Sequence, residues 1–383
     1  MPEKVFKGKR SKRSNIFKKY TAVWEAFLAI IVGFFIGGLV INWSGFNAIA
    51  AILRMLEGGF GSDYYLTTTL TRSIPIIFAG FAAALAWGSG YPSLGASGQM
   101  ILGAMICSQI AISIDGPALV IIVLSILGGM IAGMVYSFIS GWISDRFQIY
   151  LLIITLMMNY IADNIASYFT HYFIKDPFGL DSSAIQTQKI EVGYLPRIFS
   201  DFTTHYGFII ALILGGILWF IKYRTVFGYR ARMGGLNALF AEYGGLNSKK
   251  MMCGVLLLSG AMAGLGGACE VLGTRFRYVN GMISSSGYVW TGIIASLIAN
   301  NHPIGIVFSS IFLAGLTTGG SAVERSMSVP SEVSAIIQSI ITLLMTSKFI
   351  VSYRHGKFGT LKKIYSKTAK RLLSINPGRV ENK

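Results

Sequence analysis

The chain has 383 residues, of which 53% are hydrophobic and only 13% are charged, and its mean hydropathy is +0.60. Soluble domains carry about 25% charged residues, so this composition predicts a membrane protein and excludes soluble enzymes, nucleic-acid-binding domains and disordered proteins. The net charge of +17 does not indicate a nucleic-acid partner, because the basic residues are concentrated in the two tails and one internal loop.

About ten segments are apolar enough to form transmembrane helices, which need roughly 20 residues because hydrocarbon tolerates only an internally hydrogen-bonded backbone. They are centred on 23–42, 70–88, 93–113, 117–143, 149–169, 206–221, 251–271, 286–300, 304–321 and 332–351. The eighth is short and rich in Gly and Ser, so it either spans or is a broken, re-entrant element that lines a cavity. The predicted fold class is an all-α polytopic membrane protein.

The chain is divided by its polar segments. We expect a basic tail at 1–21, a transmembrane domain at 22–351 and a second basic tail at 352–383. The first apolar run, Phe27 to Val40, follows a basic segment like a signal peptide, but without a small-residue cleavage site it is interpreted as an uncleaved span. Within the domain, residues 46–60 resemble a short amphipathic helix on the outer surface, and residues 170–205 form a long external loop.

The distribution of Lys and Arg predicts the orientation, since these residues are retained on the cytoplasmic side. Eight lie in residues 4–19, one is Arg146, six lie between Lys222 and Lys250, and ten lie from Lys348 onwards. Ten spans with both termini in the cytoplasm place these 25 of the 33 basic residues inside. The basic tails are then topology determinants and contacts for anionic membrane lipid.

Four polar side chains are predicted at membrane depth: Gln99, Asn159, Asp163 and Glu270. Asn159 and Asp163 are four residues apart and share one face of a helix. Ionisable residues in a span are costly and mark functional sites by default, whereas the alternative is a hydrogen bond that locks two helices together. Glycines in three spans indicate close packing of helices.

The cytoplasmic segment 222–250 carries the most specific pattern, Phe227 to Asn247. It predicts a short helix that starts near Asn237 and ends at Gly244 and Gly245. Such an element, too polar to span, can be a lever moved by a cytoplasmic partner, or else an ordinary connecting loop.

The chain shows no catalytic pattern. Its four histidines are scattered, no phosphate-binding loop is present, and Cys107, Cys253 and Cys269 lack metal-ligand spacing and are interpreted as buried side chains. We therefore predict no cofactor, no metal site and no enzymatic activity, and any ATP must be hydrolysed by another subunit.

Several motifs resemble permease subunits of bacterial ABC importers of the sugar and branched-chain amino-acid type, above all the nucleoside-importing branch. The resemblance covers residues 70 to 350 and rests on the order and spacing of the motifs, not on any one of them. The similar segments are Gly95–Met100, Met157–Ala162, Gly235–Asn237 with Ala241 and Gly245, Ser259–Gly273, Gly287–Tyr288, Asn301–Gly305 and Val329–Val333.

The resemblance implies an ABC importer permease fold and a complex in the bacterial plasma membrane. It implies ABC ATPase subunits, a second permease subunit that is often a different chain, and an extracellular substrate-binding lipoprotein. The implied substrate pathway contains Gln99, Ser97, Asn159, Asp163, Tyr288, Trp290 and Thr291. The implied ATPase contact contains Gly228, Arg230, Arg232, Gly235, Asn237, Ala241, Gly244 and Gly245.

Four positions depart from the polar residues typical of the nucleoside branch: Ser93, Ser97, Leu151 and Thr291. Hydrogen-bonding groups set discrimination between substrates, so the predicted nucleoside cargo has alternatives in a simple sugar, a ribose derivative or an amino acid. A different class, an ion-coupled secondary transporter or channel, would also place Asn159, Asp163 and Glu270 in its path. It would leave the cytoplasmic lever without a role, and a membrane enzyme would lack a reactive cluster.

Overall fold

The computed structural model describes residues 31–43, 45–176, 185–198 and 202–327, and the short stretches 335–336, 339–340 and 342–343. Its helices are α1 Ile31–Trp43, α2 Ala48–Phe60, α3 Asp63–Gly88, α4 Ala96–Ser113, α5 Ala118–Phe147, α6 Leu151–Tyr172, α7 Gly207–Arg224, α8 Val226–Leu236, α9 Ala238–Tyr243, α10 Ser248–Glu270, α11 Tyr288–Ile298 and α12 Pro303–Met327. A π-helical turn, Val271–Arg275, extends α10. Outside the helices, this part of the chain forms only isolated β-bridges.

Seven of these helices, α3 to α7, α10 and α12, are long and apolar enough to cross a membrane. The prediction of an all-α polytopic membrane protein is confirmed at this level. The predicted first span is described only from residue 31, and the predicted last span, 332–351, and both basic tails lie essentially outside the described residues. α11 has 11 residues, about 16 Å of helix, and is too short to cross roughly 30 Å of hydrocarbon alone.

One boundary differs clearly from the sequence prediction. α3 begins at Asp63 rather than near residue 70, because the Ser62 hydroxyl accepts a hydrogen bond from Tyr65 N and caps the helix. Threonines in its first turns donate their hydroxyls to carbonyls of their own helix, as Thr67 does to Asp63 O at 2.7 Å. α2 is the predicted amphipathic helix, but its Gly58 and Gly59 pack closely against α12.

The centre of the bundle consists of α3 and α10, which are buried along most of their lengths. Glycines bring α10 close to α5: a Cβ added to Gly264 would overlap the carbonyl oxygen of Gly129, and one added to Gly260 would overlap that of Gly133. Small residues allow such backbone approach, and dispersion between the packed surfaces then holds the helices together without a hydrophobic driving force in lipid. Cys107 and Cys269 are buried here as predicted, whereas Cys253 is only half-buried.

One end of the bundle, which we call the basic end, gathers the connections 89–95, 225–247 and 299–302. Tyr91 Oη donates to Ser248 O at 3.0 Å, Lys222 Nζ donates to Asn301 O at 2.6 Å, and Lys249 pairs with Asp145 at 3.0 Å. The predicted cytoplasmic basic residues of the described chain therefore lie together.

At the opposite end, the described part of the long loop is fastened to the turns after α10. Thr187 N donates to Tyr278 O and Leu195 N donates to Leu272 O, both at 2.9 Å. His205 is buried, and burial lowers its pKa to about 4, so the ring is neutral and its Nδ1 accepts from Gly207 N at 3.2 Å. The loop is thus an ordered cover over this end.

The close α5–α10 contact predicts the effect of a larger side chain. Gly264→Val should lower the free energy of unfolding by about 1 to 3 kcal/mol, because the side chain forces the two backbones apart. The matched control is Gly216→Val on α7, where a Cβ meets nothing within 4 Å. Thermal unfolding in detergent measures both variants, and an unchanged midpoint for Gly264→Val would refute this packing.

Candidate functional site

A stripe of four polar residues runs along one face of α6. Thr155, Asn159, Asp163 and Ser167 are spaced four residues apart, so their side chains lie one above the other along the helix. The stripe contacts two stretches of non-helical backbone, residues 89–95 and residues 276–287. The site is therefore built where irregular backbone enters the depth of the bundle.

The first irregular stretch leads from the basic end to the start of α4. Leu94 N donates to Thr155 Oγ1 at 3.1 Å, and Leu94 O accepts from Asn159 Nδ2 at 2.9 Å. Gly98 N, in the first turn of α4, donates to Asn159 Oδ1 at 2.8 Å. Helix starts leave backbone N–H groups unpaired, and no water is available in hydrocarbon, so the Asn159 amide supplies both the donor and the acceptor that this stretch lacks.

Gln99 and Ser97 lie on the first turn of the same helix. Gln99 is buried, and its Oε1 accepts no hydrogen bond among the described residues. Ser97 is half-buried. The structure thus groups these two predicted residues with Asn159 at one helix start, and it places Gln99 inside the packed core of this conformation instead of at an open surface.

The second irregular stretch lies further along the α6 stripe. Ser284 Oγ donates to Asp163 Oδ2 at 2.8 Å, and Asn280 Nδ2 donates to Ser167 Oγ at 3.2 Å. Two further side-chain oxygens, Asp163 Oδ1 and Asn280 Oδ1, are buried and accept no hydrogen bond in the described structure. Asp163 is thus a carboxylate with one oxygen paired and one unpaired, at membrane depth.

The three predicted residues of α11 form a separate group. Tyr288 Oη donates to Glu270 Oε1 at 3.4 Å, and the buried Glu270 also pairs with Arg275 Nε at 3.6 Å. Thr291 Oγ1 donates to Gly287 O of its own helix. Trp290 is 55% exposed. The stretch between Glu270 and α11 contacts the polar stripe of α6 through Asn280 and Ser284, and Glu270 itself is paired with Tyr288 and Arg275.

The exposed side of α6 carries functional candidates that the sequence analysis missed. Tyr160, Asn164, Tyr168 and Tyr172 are again four residues apart, and all are exposed. Asn164 is a polar residue in a span, so the criterion that selected Asn159 also selects it. The Asn164 amide donates one hydrogen to Tyr160 O and is otherwise exposed, and unpaired amide groups are costly in hydrocarbon, so this amide favours polar surroundings.

At the basic end, the predicted short helix is present as α9, preceded by α8. The Asn237 side chain caps α9 by accepting from Phe240 N at 3.1 Å, and Gly245 follows with a φ of +80°. Gly228 allows α8 to turn sharply away from α7, because a Cβ there would overlap the carbonyl oxygen of Ile221. Ala241 is buried and Gly244 is exposed after it.

The outer surface of α8 and α9 is apolar and basic. Leu236, Phe240 and Tyr243 are exposed, with Tyr243 at 93%. Arg230 is exposed, whereas the Arg232 guanidinium lies 5.0 Å from the Tyr223 ring centroid in a cation–π contact. Large apolar side chains exposed together at the end of α8 and on α9 are typical of a contact surface.

The lever and the polar stripe are connected through backbone. Gly235, in the last turn of α8, lies against residues 88–90: a Cβ there would be 2.8 Å from Gly88 O and 3.0 Å from Gly90 N. Five residues beyond Gly90, the chain reaches Gly95 and the start of α4. Beside this contact Tyr91 is half-buried, and burial raises the pKa of its hydroxyl. α8 therefore contacts the beginning of the stretch whose far end Asn159 holds.

These contacts predict that Asn159 stabilises the fold. Asn159→Ala should lower the free energy of unfolding by about 1 to 3 kcal/mol, because Gly98 N and Leu94 O lose their partner in a dry site. Asn164→Ala is the matched control, since that amide bonds only to Tyr160 O of its own helix among the described residues. Equal unfolding midpoints of the two variants would contradict this role.

Known proteins resemble the chain over most of its length. The model of the family described as branched-chain amino acid transport system / permease component matches residues 65–346. The guanosine ABC transporter permease protein NupP of Bacillus subtilis is 31% identical over 89% of this chain and 97% of its own length. The glucose ABC transporter permease protein TsgB13 of Haloferax volcanii is 27% identical, over 88% and 92%. The nucleoside ABC transporter permease protein NupB of Lactococcus lactis is 28% identical, over 90% and 96%.

The family match includes both irregular stretches, the α6 stripe and the lever at α8 and α9. Together with the seven apolar helices, it makes this chain a multi-pass membrane transport component rather than an enzyme. The chain belongs to the family of branched-chain amino acid transport system permease components.

Proposed function

We propose that this chain is the translocation-pathway subunit of an ATP-driven importer of nucleosides in a bacterial plasma membrane. The similarity to NupP, named for guanosine and matched along 97% of its length, carries the proposal. The similarity to NupB, named for nucleosides, supports the same cargo. The structure adds a polar stripe at membrane depth and a lever that contacts it.

In this proposal the basic end faces the cytoplasm, as Lys and Arg usually do. The ten proposed passes are α1, the seven long apolar helices, the irregular stretch 276–287 together with α11, and residues 332–351, of which the first is described only from residue 31 and the last lies almost entirely outside the described residues. Both termini are then cytoplasmic. α11 descends only half of the membrane, after the irregular stretch 276–287.

The cytoplasmic partners are two ABC ATPase subunits. One would contact α8 and α9 through Leu236, Phe240 and Tyr243, with Arg230 beside them. ATP binding would displace α9, and the close contact of Gly235 with residues 88–90 would pass the motion to the start of α4. Gly228, Asn237, Gly244 and Gly245 give the lever its two turns and its cap.

Two further partners complete the importer. Within the membrane, a second permease chain would lie across the pathway from the exposed side of α6 and close the pathway. A substrate-binding lipoprotein would dock on the outer end, where Asp115, Asp176, Lys189 and Glu191 line an open cleft beside the ordered loop. Within the pathway, Ser97, Gln99, Asp163, Trp290 and Thr291 are the proposed polar lining.

A simple sugar is the alternative cargo, because TsgB13 is named for glucose and matches the chain over a similar length. Uptake of radiolabelled ligands by cells that express this chain with its partner subunits distinguishes a nucleoside cargo from a sugar cargo. We expect guanosine and other nucleosides to be taken up and to compete with one another, and glucose not to compete. Uptake that persists without the ATPase but stops with an uncoupler would instead indicate an ion-coupled transporter.

The lever contact predicts an uncoupled variant. Gly235→Val should reduce nucleoside uptake at least about tenfold while ATP hydrolysis by the purified complex continues, because the side chain separates α8 from residues 88–90. Gly234→Val is the matched control, since its Cβ would be no closer than 3.8 Å to Ser89 O. Uptake and ATPase rates in proteoliposomes measure both variants. Normal uptake by Gly235→Val would refute the lever.

A further inference from the structure

The exposed side of α6 carries polar and aromatic residues at the middle of the membrane, Tyr160 and Asn164, beside the aliphatic Met157 and Ile161. α6 has 22 residues and is about 33 Å long, so Tyr160 and Asn164 lie within about 4 Å of its midpoint. Tyr160 is 64% exposed, and Asn164 donates one amide hydrogen to Tyr160 O at 2.8 Å. Among the described residues, the Asn164 oxygen and second amide hydrogen have no other bond.

The neighbouring helix α5 shows what a lipid-facing surface of this chain looks like. Its exposed side chains at comparable depth are Leu127, Ile131 and Val135, all aliphatic. Hydrocarbon selects such residues, and α6 differs from α5 by exposing an amide and a phenol at this depth besides its aliphatic side chains. Asn164 and Tyr160 suit contact with water, a polar ligand or another protein chain.

Aromatic rings continue from the midpoint of α6 to its outer end. Tyr168 and Tyr172 have ring centroids 4.9 Å apart, and Phe173 lies 6.1 Å from Tyr168. The rings near the helix end suit the aromatic belt of a membrane interface, but Tyr160 lies about 18 Å deeper than Tyr172 and does not belong to a belt. The aromatic series therefore leads inward along the pathway side.

The flank of this aromatic series carries hydrogen-bonding groups. Asp163 is adjacent to Asn164 in the chain, and its Oδ1 is unpartnered, while Ser284 and Ser285 are exposed beside it. Flat rings next to an amide and a carboxylate match a ligand with a planar heterocycle, polar ring edges and hydroxyl groups. Every nucleobase has flat faces that stack on aromatic side chains, and an Asn amide can pair with a donor and an acceptor on the edge of a base.

We propose that Tyr160, Asn164 and Tyr168 form a nucleobase-contacting wall of the translocation pathway. The tyrosine rings bind the faces of the base, and Asn164 binds its edge. This inference rests on the proposed function, since it assigns the contacts of the nucleoside within that pathway.

The proposal requires that loss of a ring weakens nucleoside transport and leaves assembly intact. Tyr160→Leu and Tyr168→Leu should each raise the KM for guanosine uptake by about 5- to 150-fold, the range expected for loss of one base–aromatic contact. Tyr160→Phe keeps the ring and should change KM far less than Tyr160→Leu. Asn164→Leu should raise KM by different factors for guanosine, adenosine and uridine.

The measurement uses the complete complex, purified and reconstituted, with uptake at varied nucleoside concentration. Copurification of the ATPase and the second permease with each variant reports assembly. The control is Phe138→Leu on α5, an exposed aromatic residue on the aliphatic side of the bundle. It should keep the wild-type KM.

Each outcome decides one question. Higher KM with normal copurification supports the base-contacting wall. Loss of copurification with an unchanged KM in the remaining complex would assign this face to the second permease and overturn the inference. An unchanged KM in both leucine variants would also overturn it. Absence of nucleoside uptake by the wild-type complex would refute the proposed function itself, whereas normal wild-type uptake with insensitive variants would refute only the wall.

Discussion

Irregular backbone inside a membrane is stable only where every N–H and C=O finds a partner in the protein, and α6 supplies those partners here. At the start of α4, Asn159 accepts from Gly98 N and donates to Leu94 O, and Thr155 accepts from Leu94 N. One and two turns further, Asp163 and Ser167 hold the stretch after α10. Without this stripe, α4 could not begin deep in the bundle and the chain 276–287 could not turn back beside α6.

The same hydrogen bonds make the structure mechanically continuous. Gly235 of α8 touches residues 88–90, the chain from Gly90 to Gly95 is short, and Asn159 ties its far end to α6. A packed interior transmits displacement because it has little free volume, so a shift of α8 reaches α6 by direct contact. In the proposed importer, one side of α6 then contacts the stretch moved by α8, and the other side forms the wall of the pathway.

Hydropathy was sufficient for the long helices, because lipid imposes a length and a composition on each of them. The Asn237 cap and the glycines after Tyr243 are signals in the local sequence, and α9 lies where they predict it. α4 begins at Ala96, three residues after the predicted 93, and the conformation of the stretch before it depends on hydrogen bonds across more than sixty residues, which the local sequence does not reveal. Asn159 was identified as polar at depth, but its partners were not, and Asn164 was missed although its spacing to Tyr160 and Tyr168 is visible in the sequence.

α5 and α6 expose different side chains at the same depth. α5 exposes aliphatic residues, whereas α6 exposes the Asn164 amide and the Tyr160 phenol besides Met157 and Ile161. Lipid tails offer the Asn164 amide no hydrogen bond, so water or another polypeptide is the more favourable neighbour for it. In the proposed importer, a second permease chain across the pathway would separate water at this depth from hydrocarbon.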